Sequence, residues 1–273
     1  MRSWILCRHR LLLAGPLLLV FLLAAVFSGW LAPADPLKIH PRNILQSPSA
    51  RHLLGTDQLG RDILSRLIYG SRISLSVAGA AVGIATLIGV ALGLLAGYVG
   101  RWVEGLLMRF IDAFLCIPEI FVAIVVMAFF GSGFGMLVLT IGTLYFPQFA
   151  RVVCSVAASV RRREFVEAST ALGARGLRIV CREILPNIAS VIIVQLTFTM
   201  SFAMLLEAGL SFLGLGIMPP TPSWGQMVGD LKDYVHINPL PVLFPSLTLL
   251  VAIFAINTIG DWLQDWLNPE IAG

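Results

Sequence analysis

The sequence predicts an all-α integral membrane protein that crosses the bilayer six times. Of its 273 residues, 58% are hydrophobic and only 12% are charged, whereas a soluble domain carries about 25% charged residues. The apolar residues gather in six stretches that reach or approach the ~20 residues that an α-helix needs to cross about 30 Å of hydrocarbon. These stretches are residues 11–31, 75–99, 110–130, 136–150, 188–206 and 240–259. Because a backbone in lipid must satisfy its own hydrogen bonds, we expect each stretch to be helical.

The first stretch allows two interpretations. Arg8 and Arg10 precede it, as basic residues precede the apolar part of a cleaved signal peptide. Its apolar core is longer than the about 7–15 residues of such a signal, however, and no small-x-small site closes it. We therefore expect it to remain in the protein as the first span.

Lysine and arginine residues predict the orientation of the chain. If the N-terminus is inside, twelve of the 19 basic residues lie on the inner side and seven on the outer side. Six of those seven are in the long first outer loop, which weakens the rule without reversing it. The loop between spans four and five therefore decides the orientation. It holds seven arginines between Arg151 and Arg182. Both termini are therefore predicted to be cytoplasmic, and the net charge of +4 is explained by topology rather than by a nucleic-acid partner.

An amphipathic segment precedes the second span. Between residues 55 and 72, apolar residues recur at helical spacing among charged ones; they are Leu59, Ile63, Leu64, Leu67 and Ile68. This pattern suits a helix that lies in the membrane interface, and it suits a solvated amphipathic turn equally well.

Glycines recur along the second span. Gly79 and Gly83 are four residues apart, and Gly89, Gly93 and Gly97 follow at the same spacing. Because small residues let helix backbones approach closely, this ladder predicts a close contact with another helix.

Motifs of catalysis are missing from the sequence. There is no H-E-x-x-H, no G-x-S-x-G and no complete P-loop. Residues 55–62 have the glycine spacing of a phosphate loop, but they lack the Lys and Ser/Thr that would reach phosphate and magnesium, so we reject them as a nucleotide site. The four cysteines and four histidines show no spacing typical of metal ligands. We expect no enzymatic activity and no cofactor in this chain.

Carboxylates within or near the spans are candidates for a transport function, since charge at such depth is costly. Asp112 and Asp261 are expected at the inner interface, where a carboxylate costs little. Glu119 follows Pro118 in the third stretch, and Glu207 stands at the end of the fifth. These two glutamates are candidates for a translocation path, although for each we favour packing at a helix–helix contact.

The loop between spans four and five, residues 151–186, is the most informative region. Its centre has a polar helical face and an apolar stripe beside it, formed by Glu164, Glu167 and Ala171 and by Phe165, Ala168 and Leu172. Gly173 then ends the helix, and Pro186 marks the entry to the fifth span. A short helix of this kind suits docking into a cleft of a soluble protein. The alternative is an ordinary basic loop.

This loop resembles the EAA loop of the permeases of ATP-binding-cassette (ABC) importers. The family pattern is Glu-Ala-Ala, three residues, Gly, nine residues and Ile-x-Leu-Pro. The matching positions here are Glu167, Ala168 and Ser169, then Gly173, then Leu185 and Pro186. Two positions depart from the pattern: Ser169 replaces the second alanine, and Glu183 stands where isoleucine is expected, with Ile184 one place later.

Three further stretches resemble the dipeptide/oligopeptide/nickel branch of that family. They are Leu54-Gly55-Thr56-Asp57 with Gly60-Arg61-Asp62 and Ser65-Arg66; Leu210-Ser211-Phe212-Leu213-Gly214-Leu215-Gly216 with Pro222-Ser223-Trp224-Gly225; and Asn257 with Gly260-Asp261 and Asp265. The resemblance divides the chain into residues 1–52, with the N-terminal tail, the first span and the start of the first outer loop, and a permease core at residues 53–270.

The resemblance implies a type I ABC-importer permease core in the bacterial inner membrane. A second, related permease would complete the pore, and an extracytoplasmic solute-binding protein would deliver the solute. Two cytoplasmic ATPases would bind ATP and Mg²⁺ and would receive the loop. The residues that couple the permease to these ATPases would be Glu167, Ala168, Ser169, Gly173, Leu185 and Pro186.

The solute stays open at this point. Peptides, glutathione-like molecules, nickel complexes, metal chelates and opines use similar permeases, and peptide is our first choice. The outer loop at residues 208–239 is expected to line the outer mouth of the pore or to meet the binding protein. An ion-coupled secondary transporter is the remaining alternative, although that class usually shows internal repeats.

Overall fold

The structure is a computed structural model that describes the backbone of residues 2–267 and the side chains of residues 14–267. Over these residues the chain forms eleven α-helices, which we number in chain order. They are α1 Arg2–Val26, α2 Ser28–Leu31, α3 Ile63–Val99, α4 Arg101–Leu115, α5 Glu119–Phe130, α6 Phe134–Arg161, α7 Glu164–Ala171, α8 Leu177–Ile179, α9 Leu185–Phe212, α10 Trp224–Leu231 and α11 Leu240–Leu267. A π-helical turn, Val180–Ile184, joins α8 to α9, and 3₁₀ turns lie at Pro41–Asn43 and Lys232–Tyr234.

Four helical segments are long and apolar enough to cross a membrane: α3, α6, the unbroken run Leu177–Phe212, and α11. The pair α4 and α5 meets the same criterion together, with a bend of 80° between the two helices, and would be a fifth span. In α1, the apolar part whose side chains are described, Ala14–Val26, is shorter. The predicted all-helical membrane fold is therefore confirmed over residues 2–267, with four to five segments that satisfy the criterion.

The predicted interfacial helix before the second span is wrong. Residues 63–99 form one continuous helix of 37 residues, and Ile63 and Leu67 are buried in the core of the bundle instead of lying at a membrane surface. The helix begins where it does because the Asp62 carboxylate accepts a hydrogen bond from the backbone N–H of Ser65 at 2.8 Å, which caps the first turn. No proline lies between that cap and the end of the helix at Val99.

The third and fourth spans also differ from their predicted limits. Pro118 separates α4 from α5, because proline disfavours a helical conformation at the preceding residue and lacks an N–H. In contrast, α6 continues through Arg151 to Arg161. The connecting loop therefore begins at Arg162, and a charged residue lies inside a membrane-spanning helix.

The contact between α3 and α6 is the most extensive in the bundle, and glycines make it close. A Cβ atom at Gly89 would lie 2.6 Å from the carbonyl oxygen of Phe146, and one at Gly93 would lie 2.7 Å from that of Ala150. Gly97 approaches α6 in the same way one turn later. The glycine ladder is thus confirmed for these three positions. It does not extend to Gly79 or Gly83, beside which a Cβ would find open space or one methionine methyl group.

Loops and short helices cover the end of the bundle at which α3 begins and α9 ends. We name residues 32–62 and 213–239 together the loop cap. Trp224 at the start of α10 anchors it: the side chain is buried, and its indole N–H donates to the carbonyl oxygen of Leu67 at 3.0 Å. The backbone N–H of Trp224 donates to the hydroxyl of Ser74 at 3.2 Å. Trp224 therefore holds α10 against α3 and is not itself a surface for a partner.

Two arginines and two aspartates join the two parts of the loop cap. Asp57 Oδ2 lies 2.6 Å from Arg61 Nε and 3.4 Å from Arg66 Nε, and the second guanidinium nitrogens of both arginines lie 3.9 Å from Asp230 Oδ2. Both arginines and Asp57 are buried, whereas Asp230 is partly exposed. Partial burial raises the pKa of the Asp230 carboxyl above its ordinary value, while the positive charges of Arg66 and Arg61 act in the opposite direction. Buried ion pairs thus hold the loop before α3 together, and longer contacts to the partly exposed Asp230 join it to α10.

Replacing Gly93 by Ala is expected to destabilise the bundle by about 1–3 kcal/mol, because the new methyl group would meet a backbone oxygen that cannot move away. Gly83→Ala is the matched control in the same helix, since nothing lies within 4 Å of its added carbon. Unfolding of the purified variants in detergent measures the difference. Equal stabilities would show that the α3–α6 distance is not set by the glycines.

Replacing Asp57 by Asn is expected to destabilise the loop cap by about 3–5 kcal/mol, because two buried guanidinium groups lose a close counter-charge. Asp230→Asn should have a smaller effect, since Asp230 is partly exposed and its contacts are longer. Hydrogen exchange of residues 40–62 reports the opening of this segment. Similar exchange rates in both variants would contradict the prediction that Asp57 stabilises the loop cap more than Asp230 does.

Candidate functional site

The helix α7 lies outside the bundle and buries one side chain against it. Val166 is buried and packs in an apolar cluster with Val160 of α6 and with Ile179 and Ile184, which precede α9. The predicted apolar stripe of Phe165, Ala168 and Leu172 is exposed, and so is Glu167. Leu172 has 90% of its surface free. The helix therefore presents nearly its whole surface to a potential partner.

Gly173 ends α7 as the sequence predicts. Its φ angle is +90°, a conformation that side chains with a Cβ atom rarely adopt. No atom lies within 4 Å of where a Cβ would be, so the backbone angle and not a lack of space requires glycine here. The N–H of Ala174 then bonds back to the carbonyl oxygen of Ser169 at 3.1 Å, which turns the chain sharply toward α8.

The two positions that depart from the EAA pattern contact each other. The hydroxyl of Ser169 donates to Glu183 Oε1 at 3.4 Å, so α7 is linked to the turn before α9. An Ala and an Ile at these positions could not form this bond. Glu183 is therefore a candidate coupling residue that the sequence reasoning treated only as a departure.

The π-helical turn explains how Pro186 enters α9. Proline cannot donate the hydrogen bond that an α-helix would supply to the carbonyl of Arg182, and its ring would crowd that carbonyl. The chain widens by one residue instead: the N–H of Leu185 bonds to the carbonyl of Val180. The side-chain amide of Asn187 donates to the Glu183 carbonyl at 2.6 Å, which satisfies part of the widened turn. Leu185 and Pro186 thus lie where a short external segment becomes a membrane helix.

Tyr98 supports the same loop from the end of α3. The backbone N–H of Gly176 donates to the Tyr98 hydroxyl at 3.0 Å, and the guanidinium group of Arg161 lies over the Tyr98 ring, 5.6 Å from its centre. The sequence reasoning missed this residue. The sequence feature that could have identified Tyr98 is an aromatic side chain with a polar tip at the end of a span, where such residues are enriched.

A polar face runs along α6. Thr143, Arg151, Ser155 and Ser159 are exposed on one side of this helix, although the helix is long and apolar enough to span the membrane. Between residues 240 and 260 the exposed residues of α11 are all apolar; they are Leu243, Leu247, Leu250 and Phe254, and exposed polar residues follow only at Gln264 and Asp265. A lipid-facing surface suits α11, whereas the exposed face of α6 suits water or another protein.

An ion pair lies on this polar face. Arg151 of α6 contacts Asp112 of α4 through a guanidinium nitrogen and a carboxylate oxygen, and each side chain is more than half exposed, at 52% and 56%. Asp112 therefore pairs with an arginine of the neighbouring helix, and its expected place at the inner interface stays a prediction.

Glu119 lies at the first turn of α5, next to the same face. The hydroxyl of Tyr145 lies 3.1 Å from Glu119 Oε1 and 3.3 Å from the carbonyl oxygen of Phe202, so it can donate to either. Glu119 is half-buried and lines a cavity of about 190 Å³. It combines the two predicted alternatives, since it contacts a neighbouring helix and borders an accessible space.

Glu207 is fully buried in α9. Ser211 donates to Glu207 Oε1 at 2.8 Å, and the hydroxyl of Ser223, just before α10, lies 3.4 Å from that of Ser211. This position agrees with the helix–helix alternative. Glu119 and Glu207 do not contact each other among the described hydrogen bonds, and within the described residues no group of three or more His, Cys, Asp or Glu side chains could hold a metal ion.

These features together define a class of protein. Long apolar helices bury a common core, one of them exposes a polar face and an ion pair, and a short helix stands free at the end of the bundle: this is the construction of a transport permease. The profile of the family described as "binding-protein-dependent transport system inner membrane component" matches residues 89–273. The chain belongs to this family, which is one of transport permeases and not of enzymes.

Relatives of similar length support the membership. The chain is 39% identical to the dipeptide transport system permease protein DppC of Alkalihalophilus pseudofirmus, over 97% of this chain and 87% of that protein. It is 40% identical to the di/tripeptide transport system permease protein DppC of Pseudomonas aeruginosa, over 93% and 86%. It is 36% identical to the glutathione transport system permease protein GsiD of Pectobacterium atrosepticum, over 97% and 88%. The resemblance to ABC-importer permeases of the peptide/nickel branch is confirmed.

A solved structure shows the same fold. A chain from the structure entitled "Inward facing conformations of the MetNI methionine ABC transporter" aligns with a TM-score of 0.60, over 73% of this chain and 94% of that chain, at 20% sequence identity. At this identity the likeness concerns the fold alone, which is that of a type I ABC-importer permease.

The contact between Ser169 and Glu183 is expected to appear as a coupling energy of about 0.5–1 kcal/mol between Ser169→Ala and Glu183→Ile, in the range of a neutral-to-charged hydrogen bond that is partly exposed. The measurement is a double-mutant cycle on the unfolding of the purified subunit. Thr170→Ala with Glu183→Ile is the matched control cycle, because the Thr170 hydroxyl donates only to the carbonyl of Val166, at 2.8 Å. Additive effects in both cycles would show that the contact does not link α7 to α9.

Proposed function

We propose that this chain forms half of the translocation pore of an ABC importer for short peptides or glutathione, and that α7 couples the pore to cytoplasmic ATPases. The observation that carries this proposal is α7 itself, a helix with one buried valine and with most of its remaining surface exposed. The relatives named for dipeptides, di/tripeptides and glutathione support a peptide, since glutathione is itself a tripeptide. They do not favour a nickel complex, a metal chelate or an opine, and nothing in the family membership favours an ion-coupled secondary transporter.

The proposed topology has six spans and both termini in the cytoplasm. The exposed residues of α1 after Pro16 are apolar; they include Leu19, Val20, Leu22 and Leu23. This surface suits lipid and supports α1 as a sixth span. With the arginines at the end of α6 and on both sides of α7 placed in the cytoplasm, the loop cap would lie on the outer side of the membrane. The C-terminal residues 268–273 lie outside the described part of the chain.

The proposed path follows the polar face of α6. Arg151 and Asp112 would line it together with Thr143 and Ser155, and a second, homologous permease would supply the opposite wall. Glu119 would lie at its edge. Glu207 would be sealed from it in the conformation seen here, because its side chain is wholly covered. A peptide carries both charges, so a path lined by an arginine and by carboxylates suits it.

Force would reach the spans through three contacts of α7. Val166 joins it to α6 and to the turn before α9, the Ser169–Glu183 bond joins it to the π-helical turn, and the sharp turn at Gly173 fixes its direction. Movement of an ATPase cleft that holds Glu167 and Ala168 would therefore displace the beginning of α9, where Leu185 and Pro186 lie, relative to α6. ATP and Mg²⁺ would be bound by two partner ATPase subunits, and this chain would need no cofactor of its own.

The solute-binding protein is proposed to dock on the loop cap. Leu53, Met218 and Ile237 are exposed there, and they offer apolar contacts on a segment stiffened by the buried ion pairs of Asp57. Trp224 is excluded from such a contact because it is buried.

Glu167→Lys and Gly173→Leu are each expected to reduce ATP-dependent solute uptake at least tenfold, because one reverses a charge on the docking surface and the other cannot hold a φ angle of +90°. The measurement is uptake by vesicles that contain the binding protein and the ATPases, with immunoblotting to confirm insertion. Gly209→Ala is the control, since its added carbon meets nothing within 4 Å and it lies at the other end of α9. Normal uptake with ATPases bound would refute the coupling role. Uptake that required a proton gradient and ignored ATP would refute the importer class.

A further inference from the structure

A polar cavity lies behind α7, on the side that faces the bundle. Its volume is about 600 Å³, and its walls come from the end of α3, the beginning of α4, the end of α6 and the inner face of α7. Because α3 ends at Val99 and α6 at Arg161, the cavity is level with the ends of two membrane spans. A lipid headgroup at the end of these helices could therefore reach it.

Three arginines line this cavity. They are Arg101, Arg161 and Arg162, and the carboxylates of Glu104 and Glu167 also contribute to the walls. Three positive and two negative side chains leave one positive charge. Among the described residues Arg101 and Arg162 form no ion pair closer than 4 Å, so their charge is not neutralised by a fixed partner.

The start of α4 adds further donors. Gly100, Arg101 and Glu104 border the cavity, and α4 has no side-chain cap. The backbone N–H groups of residues 101–103 have no acceptor in the part of the chain that the structure describes. Such groups at the end of a 15-residue helix favour a negative ligand, especially next to guanidinium groups.

The backbone of Arg101 is held in an unusual conformation. Its φ angle is +50°, in the left-handed region that a non-glycine residue enters only at a cost. A strained residue at the entrance of a basic cavity indicates that the position of its side chain matters.

An exposed apolar stripe begins next to the cavity. Trp102, Leu106 and Phe110 share one side of α4, and all three are largely exposed. Their spacing of four residues places them in one row, and the row starts at the residue after Arg101. Acyl chains could lie along this row while a headgroup occupied the cavity.

We propose that this cavity binds the phosphate of an anionic membrane phospholipid, with Arg101 and Arg162 as its principal ligands. A phosphodiester carries one negative charge, which matches the single positive charge of the lining. Basic pockets between membrane helices on the cytoplasmic side are the places where anionic headgroups bind. The bound lipid contacts Val166 and Thr170 on the inner face of α7, so it stiffens the attachment of the coupling helix without occupying its outer, partner-facing surface.

The test compares lipid bound to the purified complex reconstituted in nanodiscs. Phosphatidylglycerol is expected to remain bound through native mass spectrometry, and phosphatidylcholine is not. The double variant Arg101→Gln/Arg162→Gln should lose phosphatidylglycerol by about tenfold or more, since each basic group contributes to attraction of an anionic lipid. Arg163→Gln/Arg175→Gln is the matched control. It removes two exposed arginines of the same loop that do not line the cavity, and it should retain the lipid.

Other results would overturn the proposal. Equal retention of phosphatidylglycerol by the two double variants would show that the cavity is not its site, and equal retention of phosphatidylcholine would remove the role of charge. Release of the lipid by millimolar inorganic phosphate, with equal thermal protection by phosphate alone, would assign the site to a free anion. If the variant fails to insert, Arg101→Lys/Arg162→Lys keeps both charges and should restore binding. The readout is bound lipid, so it stays independent of whether uptake and ATPase coupling follow the proposed function.

Discussion

The backbones of α3 and α6 touch along three successive turns, and the other parts of the structure are arranged around this contact. In lipid the hydrophobic effect contributes little to the association of helices, so close van der Waals contact must stabilise it. Gly89, Gly93 and Gly97 permit it by removing side chains from the approach. At one end the contact brings Tyr98 to Arg161 and to the loop that carries α7. The position of α6 in turn places Tyr145 beside Glu119.

Much of the fold follows from local properties of the sequence. The apolar stretches, the glycine ladder and the end of α7 at Gly173 depend on residues close together in the chain, and they were predictable. The interfacial helix before α3 was predicted wrongly because charged residues interleave with apolar ones there. The sequence pattern could not show that Arg61 and Arg66 are buried against Asp57, since one neutralising partner, Asp230, stands far along the chain.

In the candidate site, too, some residues were predictable from a local motif and others were not. Glu167, Ala168 and Gly173 were recognisable because a short motif carries them. The role of Glu183 was not, since the motif marks it as a mismatch and only the fold brings it to Ser169. The partner of Asp112 was likewise not predictable, since the continuation of α6 through Arg151 brings the two residues together across 39 positions of the chain. Interactions between residues distant in sequence decide these cases.

The different character of the α6 and α11 surfaces has a consequence for assembly. The exposed surface of α11 is apolar, with Leu243 and Phe254, whereas the exposed surface of α6 carries Arg151. In the proposed dimer, rotating the subunit by half a turn would move Arg151 toward hydrocarbon and the exposed leucines of α11 toward the pore, and a charge in hydrocarbon is costly. The bilayer would therefore favour one orientation of each subunit before specific contacts between the partners form.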